Sequence, residues 1–324
     1  MKTGLFLPAP VSLSPYITGA IQALMREGGV QFDVIASSSG AALPAGYAAM
    51  DAIEQLVAIW ERLENKDWAE VNWAASIKGA VLWAPSLMDN RPVQQTAIDG
   101  HILEDRLRPG VRWRLHAVRL TTGQEEIWEF PGAHLPLETA VHLAMAVPVL
   151  FPAIDYDGTQ WVDAATLNGS PLEELILHTG VERVFFVGHA PQSALTSPAG
   201  NVLKILLTAL EWNQFSETIT SIEHANDVSE LARAWQADRA AVERVIGELI
   251  DEARLQAELL SEVDRIYREA AFPIQRTPVE IIPVLPQQRL AGLFGDFQPA
   301  RSRQLLELGR QDARRVLKQL ESVA

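Results

Sequence analysis

The sequence predicts an α/β fold in which helices cover a mostly parallel sheet. Short apolar runs at residues 4–7 and 32–36 are typical of buried strands. A helix-like segment follows each run, at 16–26 and at 40–50. Strands that alternate with helices along a chain build a parallel sheet with helices packed on it. The opening of the chain therefore predicts the fold class.

The middle of the chain adds two predicted β-hairpins. Segments 113–120 and 125–130 flank a short polar turn, and residues 153–162 form a tighter hairpin around Asp157-Gly158, a dipeptide that favours a type I′ turn. These strands extend the sheet. The other predicted elements are a helix at about 138–146, a buried strand at 184–188, a helical region at about 201–271, a strand at 279–282 and a final amphipathic helix at 299–322.

The composition is that of an ordinary globular protein. Of 324 residues, 48% are hydrophobic and 21% are charged. The net charge of −14 argues against nucleic acid as a partner and against strong electrostatic binding to an anionic membrane. The chain has no cysteine, which excludes disulfides, thiolate metal sites and cysteine nucleophiles. No apolar stretch suits a signal peptide or a transmembrane helix, so we expect a cytoplasmic protein.

The sequence shows no repeat, low-complexity tract or clear linker that would divide the chain. We therefore expect one domain over residues 1–324, with a core at about 1–200 and a helical C-terminal extension at about 201–324. The sequence does not indicate an oligomeric state.

The most distinctive segment is Ala36-Ser37-Ser38-Ser39-Gly40, between the second predicted strand and its helix. A sharp strand-to-helix turn of small residues is the setting of the nucleophilic serine in a G-x-S-x-G elbow. Ser38 takes the serine position, and Ala36 replaces the first glycine. The N–H groups that begin the following helix lie where an acyl oxyanion forms. The alternative is a small-residue turn without chemistry.

Other segments match a known pattern in the same order as the elbow. Residues 4–7 and 16–24 supply a strand and a helix before it, and Asp163-Ala164-Ala165 takes the place of a D-G-G/A motif after it. The further matching segments are 86–92, 144–152, 167–168 and 171–172. Together these residues resemble the patatin-like phospholipase family over most of the chain.

The resemblance implies a three-layer α/β/α fold and a Ser-Asp dyad that works without histidine. Ser38 would attack an acyl carbonyl, and Asp163 would accept its proton and return it to the leaving group. The implied substrate is a fatty-acyl lipid or another acyl ester or thioester. A carrier-bound acyl group and peripheral contact with a membrane stay open as alternatives. The resemblance implies no cofactor or metal. For Asp163 the alternative is a turn residue or a helix cap.

The loop after the first strand departs from the family pattern. Aligned without gaps, the glycines that supply oxyanion N–H donors fall on Ala9, Pro10 and Val11, and proline has no N–H. Loss of one such donor lowers turnover by about 10²–10³. We therefore expect a rebuilt oxyanion hole, with Ala9, Val11, Ser12 and Ser39 as the candidate oxyanion and substrate contacts.

These departures leave two alternatives to hydrolysis. The same dyad can carry out acyl transfer, cyclisation or proton transfer on a special acyl substrate, or the protein is a catalytically inactive relative that binds acyl ligands. Trp60, Trp68, Trp73 and Trp83 either line an acyl pocket or pack in the core. The final helix either contacts a membrane or docks on the body. We predict no catalytic role for His142.

Overall fold

The computed structural model describes most of the chain. Of the predicted residues, Ala9, Val11, Ser12, Trp73 and Trp83 lie outside the described part, as do segments 165–168 and residue 171. The described residues are 1–8, 13–71, 86–164, 172–188, 202–269, 278–287, 290 and 297–323.

A mixed eight-stranded sheet forms the centre of the described structure. The strands are β1 (Thr3–Pro8), β2 (Val34–Ser38), β3 (Glu70–Val71), β4 (Met88–Asp89), β5 (Arg112–Arg119), β6 (Gln124–Phe130), β7 (Ile154–Tyr156), β8 (Thr159–Asp163), β9 (Arg183–Val187) and β10 (Glu280–Val284). The order across the main sheet is β10-β9-β1-β2-β5-β8-β7, and β6 also pairs with β5. Strands β10, β9, β1, β2 and β5 are parallel, whereas β6, β7 and β8 pair antiparallel. Strands β3 and β4 form a separate pair.

Helices account for most of the remaining described residues. They are α1 (Ser14–Arg26), α2 (Ala42–Ala49), α3 (Ile53–Trp60), α4 (Asn65–Trp68), α5 (Arg91–Val93), α6 (Leu137–Ala144), α7 (Leu172–Thr179), α8 (Val202–Leu249), α9 (Ala253–Glu269) and α10 (Pro299–Val323). Shorter helical turns occupy Ser39–Ala41, Gln94–Ile98 and Glu104–Arg106. No described helix is both long enough and apolar enough to cross a membrane.

The two faces of the sheet carry separate hydrophobic clusters. Face A bears Ile35 and Leu115 and packs against α1, α2, α3, α6 and α10. Face B bears Ala36 and Phe186 and packs against α7 through Leu172 and its neighbours. Because a strand directs alternate side chains to opposite faces, neighbours such as Ile35 and Ala36 belong to different clusters. Helices on both faces confirm the predicted α/β fold.

The final helix docks on the body of the protein. Helices α1 and α10 cross so closely that a Cβ added at Gly19 would lie 2.0 Å from the Leu306 carbonyl oxygen. A Cβ at Gly309 would lie 2.0 Å from the Tyr16 carbonyl oxygen. The Tyr16 hydroxyl donates to Asp312 Oδ2 at 3.1 Å, and burial together with this carboxylate raises the pKa of Tyr16. Only glycine permits this approach of the two backbones.

The described tryptophans of the region before β3 pack in the core. Trp60 and Trp68 have ring centroids 5.9 Å apart, and Phe297 stacks on both of them, at 5.9 Å and 4.4 Å. The Trp60 indole also donates to Thr18 Oγ1 at 2.9 Å. These two aromatic rings therefore join α3 and α4 to the start of α10.

Candidate active site

Ser38 is the last residue of β2 and keeps an extended backbone, with φ −130° and ψ 158°. Its partner in register is Pro8, the last residue of β1. The side chain is buried, and its Oγ has no hydrogen-bond partner among the described residues. Buried hydroxyls are nearly always hydrogen-bonded in folded proteins, so an exception calls for an explanation such as catalysis.

The residue after Ser38, at the start of the turn, has a strained backbone. Ser39 has a φ of 54°, in the left-handed region that non-glycine residues rarely occupy. The short turn Ser39–Ala41 then leads into α2, and Ser14 Oγ donates to the Gly40 carbonyl oxygen at 2.9 Å. In a nucleophile elbow the serine itself occupies the strained position. Here the strained residue comes one position after Ser38.

Strand β5 determines how close Ser38 lies to Asp163. Strand β6 pairs with β5 along its length and occupies one edge, so β2 and β8 share the other edge. Ser37 pairs with Leu115, and Asp163 pairs with Ala117. These partners are two residues apart in β5, which corresponds to about 7 Å. The carboxyl ends of β2 and β8 therefore meet at one point of the sheet.

Asp163 is fully buried at the end of β8. Its backbone N–H donates to the Ala146 carbonyl oxygen at 2.9 Å, just after the end of α6. In the same loop Val149 has a φ of 72°, and its carbonyl oxygen accepts from the Leu87 N–H at 2.9 Å. The matching segments 86–92 and 144–152 thus contact each other, and the second of them fixes the aspartate.

One protein-family model matches this chain. The model of the patatin-like phospholipase family matches residues 12–176, about half of the chain, and that stretch contains both the elbow and Asp163. The chain belongs to the patatin-like phospholipase family. The resemblance seen in the sequence is therefore confirmed.

One solved structure similar to this patatin-like protein is the crystal structure of VipD from Legionella pneumophila. The match covers 98% of this chain and 67% of that chain, with 13% identity and a TM-score of 0.48. No curated protein matches the sequence.

The oxyanion contacts predicted for this patatin-like protein are described in part. Ser39 directly follows the candidate nucleophile, the position whose backbone N–H contributes to the oxyanion hole of an elbow. Ala9, Val11 and Ser12 remain predictions because they lie outside the described residues.

The structure also shows a buried histidine beside the site that the sequence analysis did not single out. His116 lies in β5 between the partners of Ser37 and Asp163. It is 1% exposed, its Nδ1 is hydrogen-bonded to Glu125, and its Nε2 has no hydrogen-bond partner among the described residues. The signal was the predicted hairpin 113–120/125–130, which brings His116 and Glu125 to neighbouring strands.

Proposed function

We propose that this protein is a serine acyl hydrolase that acts on an acyl ester or thioester, with lipid acyl esters as the substrate class. Ser38 is the nucleophile and Asp163 accepts its proton. The observation that supports the proposal is that the carboxyl ends of β2 and β8, which carry these two buried residues, meet on one edge of β5. Family membership supports the lipid substrate class.

The proposed reaction begins when Ser38 Oγ attacks the acyl carbonyl carbon and its proton passes to Asp163. The Ser39 N–H stabilises the oxyanion of the tetrahedral intermediate. Collapse of the intermediate breaks the bond to the leaving group, which takes the proton from Asp163. Water then attacks the acyl carbon and gives a proton to Asp163. The bond between the acyl carbon and Ser38 Oγ breaks, the free acid leaves, and Oγ takes the proton back from Asp163. Burial is the environment in which a carboxylate becomes an effective base.

Acyl transfer from Ser38 is the second candidate function, and one observation favours it. The Ser38 side chain is 1% exposed, so bulk water has little access to an acyl group attached there. An acyl-enzyme that excludes water reacts with a bound acceptor alcohol, amine or thiol instead. Hydrolysis and transfer share the first half of the reaction and differ in the group that removes the acyl chain.

Covalent labelling tests the nucleophile. We expect an activated fluorophosphonate to add once to the wild-type protein, and we expect no adduct on Ser38→Ala. Asp163→Asn should lower the labelling rate by about 10²-fold or more because it removes a proton acceptor. Intact-mass spectrometry over time measures all three variants.

Ser37→Ala is the matched control, since Ser37 is the neighbouring serine of β2 and its Oγ accepts from the Trp113 indole at 3.0 Å. This variant should be labelled at the wild-type rate. A folded wild-type protein that takes no label would sink the proposal. Product analysis with ester and thioester substrates then separates the two functions, because hydrolysis releases free acid and transfer does not.

A further inference from the structure

The loop between α6 and β7 holds an exposed valine in a strained backbone. Val149 has a φ of 72°, in the left-handed region, where the Cβ atom of a β-branched residue crowds the following carbonyl oxygen. It is 41% exposed, although Val147, Leu150 and Phe151 of the same loop are buried in the face A cluster. Packing therefore explains its neighbours but not Val149, and strained residues of this kind concentrate at sites of function.

Hydrogen bonds from a second segment hold the loop in this conformation. The Leu87 N–H donates to the Val149 carbonyl oxygen at 2.9 Å, and the Met88 N–H donates to the Leu150 carbonyl oxygen at 2.8 Å. Leu87 and Met88 are themselves half-buried and pack against the face A cluster. Backbone strain persists only where the surrounding structure fixes the chain, and these contacts do so here. Val149 thus lies beside two further apolar residues that are partly accessible.

The strained loop adjoins the candidate catalytic residues. The Asp163 N–H donates to the carbonyl oxygen of Ala146, three residues before Val149. Three residues of chain span at most about 11 Å. The end of β2, which carries Ser38, meets the end of β8 at the same edge of β5. A long alkyl chain attached to Ser38 can cover such a distance.

We propose that Val149 is a specificity-determining residue of this site and that its side chain contacts the acyl chain of the substrate. The proposal rests on the proposed function and identifies a residue that recognises the apolar part of the substrate. An alkyl chain that covers the exposed valine removes apolar surface of both groups from water, which favours binding. The fixed backbone keeps the side chain in place before the substrate arrives, so binding loses little conformational entropy there.

The test compares the rates at which two fluorophosphonates label Ser38. One reagent carries an ethyl group and the other a dodecyl chain on the same reactive phosphorus, so the ratio of their rates reports recognition of the chain. We expect Val149→Gly to lower the dodecyl-to-ethyl ratio at least about threefold, because the chain loses its contact with the valine methyl groups. Relief of backbone strain alone acts on both reagents equally and leaves the ratio unchanged.

Two further variants separate the side chain from the backbone. Val149→Ala keeps a Cβ atom on the left-handed backbone and removes the two methyl groups, so the ratio should again fall at least about threefold. Asp157→Gly is the matched control for strain relief. Asp157 has a φ of 49° in the exposed turn between β7 and β8, at the end of that hairpin away from Asp163. Its variant should keep the wild-type ratio.

The outcomes separate this proposal from the proposed function. A folded wild type that takes no label from either reagent overturns both. Labelling of Ser38 with a ratio that changes less than about twofold in either Val149 variant overturns the role of Val149 and leaves the proposed function standing. An equal fall in Asp157→Gly also overturns that role, because a general loosening of the chain then explains the effect. A fall in both Val149 variants and not in the control supports the proposal.

Discussion

Ser39 holds a left-handed backbone at the point where β2 gives way to α2, with a φ of 54°. A residue with a Cβ atom pays about 1 kcal/mol for this conformation, and glycine does not. We expect Ser39→Gly to be more stable than Ser39→Ala by about 1 kcal/mol in urea unfolding. Equal stability of the two variants would show that the strain is absent in solution.

His142 makes the stability of the protein depend on pH. Burial lowers the pKa of His142 below its ordinary value, against the attraction of Asp99, whose Oδ1 lies 3.0 Å from Nε2. Above the unfolded pKa of about 6.5 both states are neutral, so the histidine has no effect. As the pH falls through that value the unfolded chain takes up a proton before the folded one, and the folded state loses stability.

The melting temperature should therefore fall more in the wild type than in His142→Gln between about pH 7.5 and pH 5.5. The melting temperature of each protein at several pH values measures this difference. Parallel curves for the two proteins would contradict it.

At the scale of elements, the contact between α1 and α10 depends on two glycines. Gly309→Ala would place a Cβ 2.0 Å from the Tyr16 carbonyl oxygen, and a backbone atom held within a helix has little freedom to move. We expect a loss of about 1–3 kcal/mol in the free energy of unfolding, measured by urea denaturation.

Gly247→Ala is the control for helix propensity. Gly247 lies within α8, and an added Cβ there meets nothing within 4 Å. This variant should gain up to about 1 kcal/mol, because alanine is the better helix former. If both variants change stability in the same direction, the close approach of α1 and α10 is wrong.

The sequence predicted which strands and helices form better than it predicted the residues at which they end. The alternation of strands and helices at the start of the chain was visible because apolar runs and periodic segments are local signals. Strand β2 continues to Ser38, two residues beyond its predicted end, because pairing with β1 holds it extended. The Asp157-Gly158 turn appears as predicted, with φ of 49° and 71° at its two residues.

At the scale of the whole molecule, the candidate site was predictable only in part. Ser38 and Asp163 were found from local motifs and a family resemblance. Their placement on one edge of β5 could not be predicted, because no local sequence pattern reports the register between distant strands. The contact of His116 with Glu125 was missed for the same reason, because it depends on the register of β5 with β6, which pairs Val118 with Glu125.

Because β2 and β8 share one edge of β5, this single strand sets the distance between their ends. Loops before β2 or before β8 can change in length without moving Ser38 relative to Asp163, since each is tied to β5 by its own hydrogen bonds. An extra residue inserted between Leu115 and Ala117 acts differently. It would turn every later side chain of β5 to the opposite face and pull the ends of β2 and β8 apart. The site could thus be dismantled without altering any residue that takes part in the reaction.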